Sequence, residues 1–119
     1  MAVKILIVED DGDARQMIKT FLEMEGYLVI CAENGWQGYE LARQENPNLI
    51  LTDIAMPNLN GIEMIKMLRR EARCREIPVV VMTSYRGELL ADAMRAGASD
   101  ATCKPLEIDS LLTLVNRLL

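Results

Sequence analysis

The side chains of this sequence best suited to chemistry are carboxylates, one hydroxyl and one lysine, and they follow short apolar runs. Glu9, Asp10 and Asp11 come after Val3–Val8, and Asp53 ends the run that begins at Leu49. Thr83 and Ser84 come after Pro78–Met82, and Lys104-Pro105 after Asp100–Cys103. Two carboxylates about 4 Å apart repel by roughly 4 kcal/mol at an effective dielectric near 20. A hard divalent cation relieves that repulsion. Mg²⁺ in particular takes one or two carboxylates together with water and phosphate oxygens. An incomplete acidic site with a hydroxyl and a lysine beside it therefore suits a phosphoryl group. Cation and lysine neutralise the phosphoryl oxygens while a carboxylate attacks in line.

The chain contains no histidine. That excludes Ser-His-Asp and Cys-His catalysis, His-rich metal sites and a phosphohistidine carrier within the chain. Chemistry falls to carboxylates, hydroxyls, lysine, thiols or backbone.

The elements that must position these groups alternate. Five apolar runs, Val3–Val8, Tyr27–Ala32, Leu49–Leu51 leading to Asp53, Pro78–Met82 and Asp100–Cys103, predict strands. Most are rich in Val, Ile and Leu without polar alternation, as in parallel strands covered on both faces. The last has little β preference, and its place in the alternation makes it an edge strand.

Amphipathic segments separate the strands. Met17, Ile18, Phe21 and Leu22 recur at helical spacing, with Asp13 as expected N-cap and Gly26 as stop. A second helix is expected over Gly35 to Glu45 and a third over Gly61 to Ala72, burying Ile62, Ile65 and Leu68. A fourth runs from Gly87 to Ala96. The last follows Pro105 and buries Leu111, Leu112, Val115 and Leu118. Five βα units predict an α/β fold, a three-layer doubly wound sandwich with right-handed crossovers. Ligands of such sheets bind at the carboxyl ends of the strands, where Glu9, Asp10, Asp53, Thr83 and Lys104 fall.

With 119 residues and half of them hydrophobic, one domain spanning 1–119, with no effector domain, is expected. The net charge of −5 and the absence of clustered cations argue against nucleic acid as a partner. Arg69-Arg70, Arg73 and Arg75 read as the solvated face of a helix. No membrane-length apolar stretch or signal peptide is visible, so a cytoplasmic address is expected. Cys31, Cys74 and Cys103 fit neither a disulfide framework nor a metal knuckle and read as buried thiols. The eight methionines read as core fillers, and Trp36 as packing locally at a helix start.

Ile7-Val8-Glu9-Asp10-Asp11, Leu51-Thr52-Asp53-Ile54-Ala55-Met56-Pro57 with Gly61, Val81-Met82-Thr83-Ser84 and Lys104-Pro105 together resemble the response-regulator receiver family across essentially the whole chain. The resemblance implies a five-stranded parallel sheet in the order 2-1-3-4-5, an order illustrated by a chemotaxis member of that family. It implies Asp53 as phosphoacceptor, with Glu9, Asp10, Asp53 and the Ala55 backbone carbonyl holding Mg²⁺. Thr83 matches the hydroxyl that binds and moves toward the phosphoryl group. Lys104 matches the lysine that pairs with its oxygens, and Lys104-Pro105 the frequent cis peptide. The implied donor is a histidine kinase or histidine phosphotransfer protein, and the implied output is a change of conformation that regulates a downstream partner or attached effector.

The sequence departs from the family pattern at Ala101, where many receivers carry Tyr or Phe. Tyr85 is a candidate replacement ring. Ala55 offers no side chain to position an attacking water, and Asn60-Gly61 replaces a more frequent Asp-Gly. By resemblance, Leu90, Arg95 and Ala101 fall on a partner-binding face. Two other readings stay open: a receiver-like interaction module that takes no phosphate, and an Asp-nucleophile phosphatase. The second reading lacks an acid at position 55, where such an enzyme protonates its leaving group.

Overall fold

The computed structural model describes residues 2–84 and 87–119. Five strands and five helices alternate: β1 Lys4–Val8, α1 Gly12–Met24, β2 Leu28–Ala32, α2 Gly35–Glu45, β3 Leu49–Asp53, α3 Gly61–Arg70, β4 Val79–Thr83, α4 Glu88–Ala96, β5 Asp100–Cys103 and α5 Ile108–Leu118. All strand pairs are parallel, in the order β2-β1-β3-β4-β5. The expected doubly wound α/β sandwich and its strand order are therefore present, with β5 at an edge.

Strand periodicity divides the interior into two layers. Ile5 and Ile7 of β1, Leu49 and Leu51 of β3, and Val80 and Met82 of β4 face one way and meet Ile18 and Leu22 of α1 and Leu111 and Val115 of α5. Leu6, Val8, Ile50, Val79 and Val81 face the other way and meet Ala42 of α2, Ile62, Ile65 and Leu68 of α3, and Ala93 of α4. Each fully buried aliphatic side chain contributes roughly 1.5–3 kcal/mol of transfer free energy. This two-sided burial explains why β3 and β4 lack polar alternation.

Side-chain caps set three helix starts. Asp11, rather than Asp13, caps α1: its carboxylate accepts from the Asp13 amide at 3.1 Å. Both residues are good capping types, and the chain leaves extended geometry two residues earlier than the apolar spacing suggested. Asn34 caps α2 by accepting from the Gln37 amide, and Asn60 caps α3 by accepting from the Glu63 amide.

Several burial expectations are corrected. Met17 and Phe21 of α1 are exposed, because only the Ile18–Leu22 line meets the sheet. Met64 and Met82 are buried, but Met17, Met24 and Met94 are exposed, so core filling does not describe the methionines as a group. Trp36 is half exposed. Cys74 is buried and Cys31 partly so, whereas Cys103 is exposed at the end of the edge strand. On α5, Leu112 and Leu118 are only partly buried beside Leu111 and Val115. Helix α3 stops at Arg70, short of Ala72.

Arg69 does not lie on a solvated face. Its guanidinium donates to the carbonyls of Cys74, Arg75, Ile77 and Gly97, tying the end of α3 to the turns before β4 and β5. A five-donor planar fork can serve these carbonyls together, the Cys74 carbonyl also accepting from the Ile77 amide at 3.1 Å. Tyr85 lies outside the described residues.

Candidate functional site

Register alone brings the polar strand ends together. Val8 is paired with Thr52, so Glu9 and Asp53 emerge side by side from adjacent strands. Asp53 is paired with Met82, which places Thr83 next along that edge. Thr83 is paired with Cys103, and the Lys104 amide then donates to the Thr83 carbonyl at 2.9 Å. Four separate segments thus deliver their functional residues to one end of the sheet.

The side chains converge accordingly. Ligand oxygens of Glu9, Asp10 and Asp53 all lie within 4.8 Å of one another. Glu9 is 1% exposed and Asp53 9%, whereas Asp10 is more open to solvent. Lys104 Nζ donates to Glu9 Oε1 and to Asp53 Oδ2, each at 2.9 Å. The second Asp53 oxygen, Oδ1, accepts from the Ile54 amide at 2.7 Å, and Glu9 Oε2 accepts from the Asp11 amide at 3.4 Å. Thr83 is almost fully buried at the end of β4. Ala55 stands in the exposed loop after Asp53. Lys104-Pro105 is cis, as the resemblance implied.

The electrostatics follow from crowding. Burial pushes the Glu9 carboxyl above the ordinary carboxylate range and the Asp53 charge adds to this, against the downward pull of Lys104. Burial pulls Lys104 down, but its hydrogen bonds to Glu9 and Asp53 and their charges outweigh that, leaving it above the usual lysine value. Lys104 is therefore a fixed cation at neutral pH, shared between two acids.

The donor set is all oxygen, with three carboxylates close enough to share one small ion and a mixture of buried and open positions. That combination fits a hard divalent cation which retains water and admits phosphate oxygens, and does not fit a soft thiolate-loving metal.

The turn into α3 holds Asp53 from behind. The Gly61 amide donates to the Ile54 carbonyl at 2.8 Å. A Cβ on Gly61 would sit 2.2 Å from the Asp53 backbone oxygen, so only glycine permits this approach. Sequence reading included Gly61 in the pattern without this role. It missed Arg15, whose guanidinium donates to the Glu9 carbonyl at 2.7 Å. An arginine six residues past an acid carries no distinctive spacing signal.

The family model for the response regulator receiver domain matches residues 5–116. The chain belongs to this receiver family. It is 38% identical to Protein PilH of Pseudomonas aeruginosa over 98% of this chain and 97% of PilH. Its fold superimposes on the chemotaxis response regulator CheY4 of Vibrio cholerae with a TM-score of 0.94 and 28% identity, covering all of both chains. The receiver domain of a sensor histidine kinase from Pseudomonas aeruginosa, solved with a magnesium ion coordinated in its active-site cleft, gives a TM-score of 0.93 at 25% identity over 99% of this chain and 98% of that one. Receiver domains are generally signalling modules rather than enzymes, and among the described residues no helix is long and apolar enough to cross a membrane.

Proposed function

We propose that this receiver accepts a phosphoryl group on Asp53 from a phosphohistidine of a histidine kinase or histidine phosphotransfer protein, and that Mg²⁺ is required. The observation that carries the reading is the Lys104 ammonium shared by Glu9 and Asp53, with the Asp10 carboxylate in the same cluster. Glu9, Asp10, Asp53 and the Ala55 carbonyl are the proposed ligands. The bound ion would neutralise acid charge and phosphoryl oxygens as the acyl phosphate forms.

The chain's own groups supply the rest. An Asp53 carboxylate oxygen attacks phosphorus in line, the P–N bond to the donor histidine breaks, and the imidazole leaves with the bonding pair. Lys104 is already within hydrogen-bond reach of Asp53 Oδ2, and its charge offsets that of the incoming phosphoryl oxygens. Thr83, buried at the end of β4 beside Lys104, is positioned for its hydroxyl to follow the phosphoryl group. That movement is the proposed trigger for a partner or attached effector, acting in the cytoplasm through the α4–β5–α5 face, where Leu90, Arg95 and Ala101 lie. Ala101, partly buried against the core, offers no rotating ring, so the proposed signal rests on Thr83 and the loop that follows it. No direct contact with nucleic acid or membrane is required.

One domain over residues 1–119 accounts for the whole site, because all five proposed side chains lie within it. Borohydride trapping after treatment with acetyl phosphate tests the assignment. Reduction of an acyl phosphate at Asp53 yields homoserine at that position in peptide mapping, whereas modification elsewhere would refute it.

A further inference from the structure

Arg15 joins two loops through a single side chain. It lies in the first turns of α1, its side chain only 20% exposed. Nη1 donates to the Glu9 backbone carbonyl at 2.7 Å, and Nη2 stands 3.6 Å from the Glu33 carboxylate, which precedes α2. The Glu9 amide donates to the Ala32 carbonyl at 3.0 Å. Glu9 is thus held through its amide by the end of β2 and through its carbonyl by a guanidinium anchored on the next loop. We propose that Arg15 is a positioning residue for the acidic pair: by fixing the Glu9 backbone it sets where the Glu9 and Asp10 carboxylates stand relative to Asp53. The inference rests on the reading of that cluster as a Mg²⁺ site.

Two effects of Arg15 on a cation site have opposite signs. Its positive charge alone opposes a second cation nearby, so deleting it would tighten Mg²⁺ binding. Its tether fixes ligand geometry in advance, so deleting it would weaken Mg²⁺ binding. The geometry favours the tether. Among the described residues no hydrogen bond or ion pair joins Arg15 to the carboxylates of Glu9, Asp10 or Asp53. Its charge is met by Glu33 instead, and its closest contact is a backbone oxygen. A planar fork can serve a carbonyl and a carboxylate at once, while a single ammonium cannot span both with the same geometry.

The test is Mg²⁺ titration of the full chain by calorimetry, comparing wild type with Arg15→Ala, Arg15→Lys, Glu33→Gln and Arg69→Ala. Arg15→Ala and Arg15→Lys should each weaken Mg²⁺ affinity about tenfold, in the range of other outer-shell supports. Glu33→Gln should give a smaller loss in the same direction. Arg69→Ala removes a clamp elsewhere in the fold and should leave the affinity unchanged while lowering Tm, which separates positioning from general stability. Affinity in Arg15→Ala equal to or tighter than wild type would overturn the proposal, as would full rescue by Arg15→Lys, which retains only the charge. Should Arg15→Ala fail to fold, the Lys variant decides. A wild type that binds no Mg²⁺, or binds it equally with Asp10→Asn, would instead overturn the site reading itself and the proposal with it.

Discussion

Glu9 and Lys104 stand 95 residues apart in the chain, yet their side chains meet at 2.9 Å, at the same distance that separates Lys104 from Asp53. The lysine therefore occupies electrostatically part of the role a divalent ion would take among these acids. On the proposed reading, Mg²⁺ and Lys104 would be partners against phosphoryl charge but competitors for the carboxylates before it arrives.

Removing the lysine should expose that competition. In Lys104→Ala, Glu9 and Asp53 are left close together without their shared cation. The loss of a partner to a mostly buried charge, discounted for the 26% exposure of the Lys104 side chain, should cost about 1–3 kcal/mol in the absence of metal. Millimolar Mg²⁺ should then raise Tm more in the variant than in wild type, since the ion now relieves a larger repulsion. Thermal denaturation with and without Mg²⁺ measures this. An equal or smaller Mg²⁺ shift in the variant would separate Lys104 from the metal site.

The Glu9 carboxyl gives a dependence on pH. Its folded value lies above its ordinary one because burial opposes the charged form. A raised carboxyl contributes stability that is complete below the unfolded value near 4.5 and is lost as pH rises through the higher folded value. At neutral pH the buried Glu9 charge thus works against stability. Glu9→Gln, which holds the neutral form, should raise the Tm of the metal-free protein at pH 7 and flatten its decline above pH 4.5. The same substitution should weaken Mg²⁺ binding. Urea denaturation across pH reads the first effect, and a variant less stable than wild type at pH 7 would contradict it.

Arg69 should prove a structural residue. Arg69→Ala leaves the carbonyls of Ile77, Cys74 and Gly97 without their guanidinium donor, and a Cβ on Gly97 would run into the same side chain at 2.8 Å. A loss of about 2–4 kcal/mol is expected, chiefly from the Ile77 and Gly97 carbonyls, since the Cys74 carbonyl keeps the Ile77 amide as a donor. Chemical denaturation checks this, and a change below about 0.5 kcal/mol, the scale of an ordinary surface substitution, would show that water replaces the guanidinium freely.

What was legible in the sequence divides along physical lines. Continuous apolar strands such as Leu49–Leu51 and Pro78–Met82 announce burial on both faces, and five repeats of that signal carry the architecture. The site was legible because a parallel sheet turns position in a strand into position in space: whatever follows each run arrives at one edge. Less local features stayed hidden. Arg69 and a solvated arginine have the same sequence context, and only the fold shows which turns leave carbonyls unmet. Likewise, Met17 and Phe21 obey helical spacing, yet the sheet covers only the neighbouring Ile18 and Leu22. Asp11 and Asp13 are equally good capping residues, and the path of the chain leaving β1 decides between them.

The most direct test of the central claim is intact-protein mass after incubation with acetyl phosphate, run with Mg²⁺, with the metal chelated, and on Asp53→Asn. A gain of one phosphoryl group that requires Mg²⁺ and is absent from Asp53→Asn is the expected result. A gain that persists in Asp53→Asn would place the modification elsewhere. Failure to gain mass, combined with no conformational response to beryllofluoride and Mg²⁺, would contradict the account and leave a receiver fold that acts without phosphate.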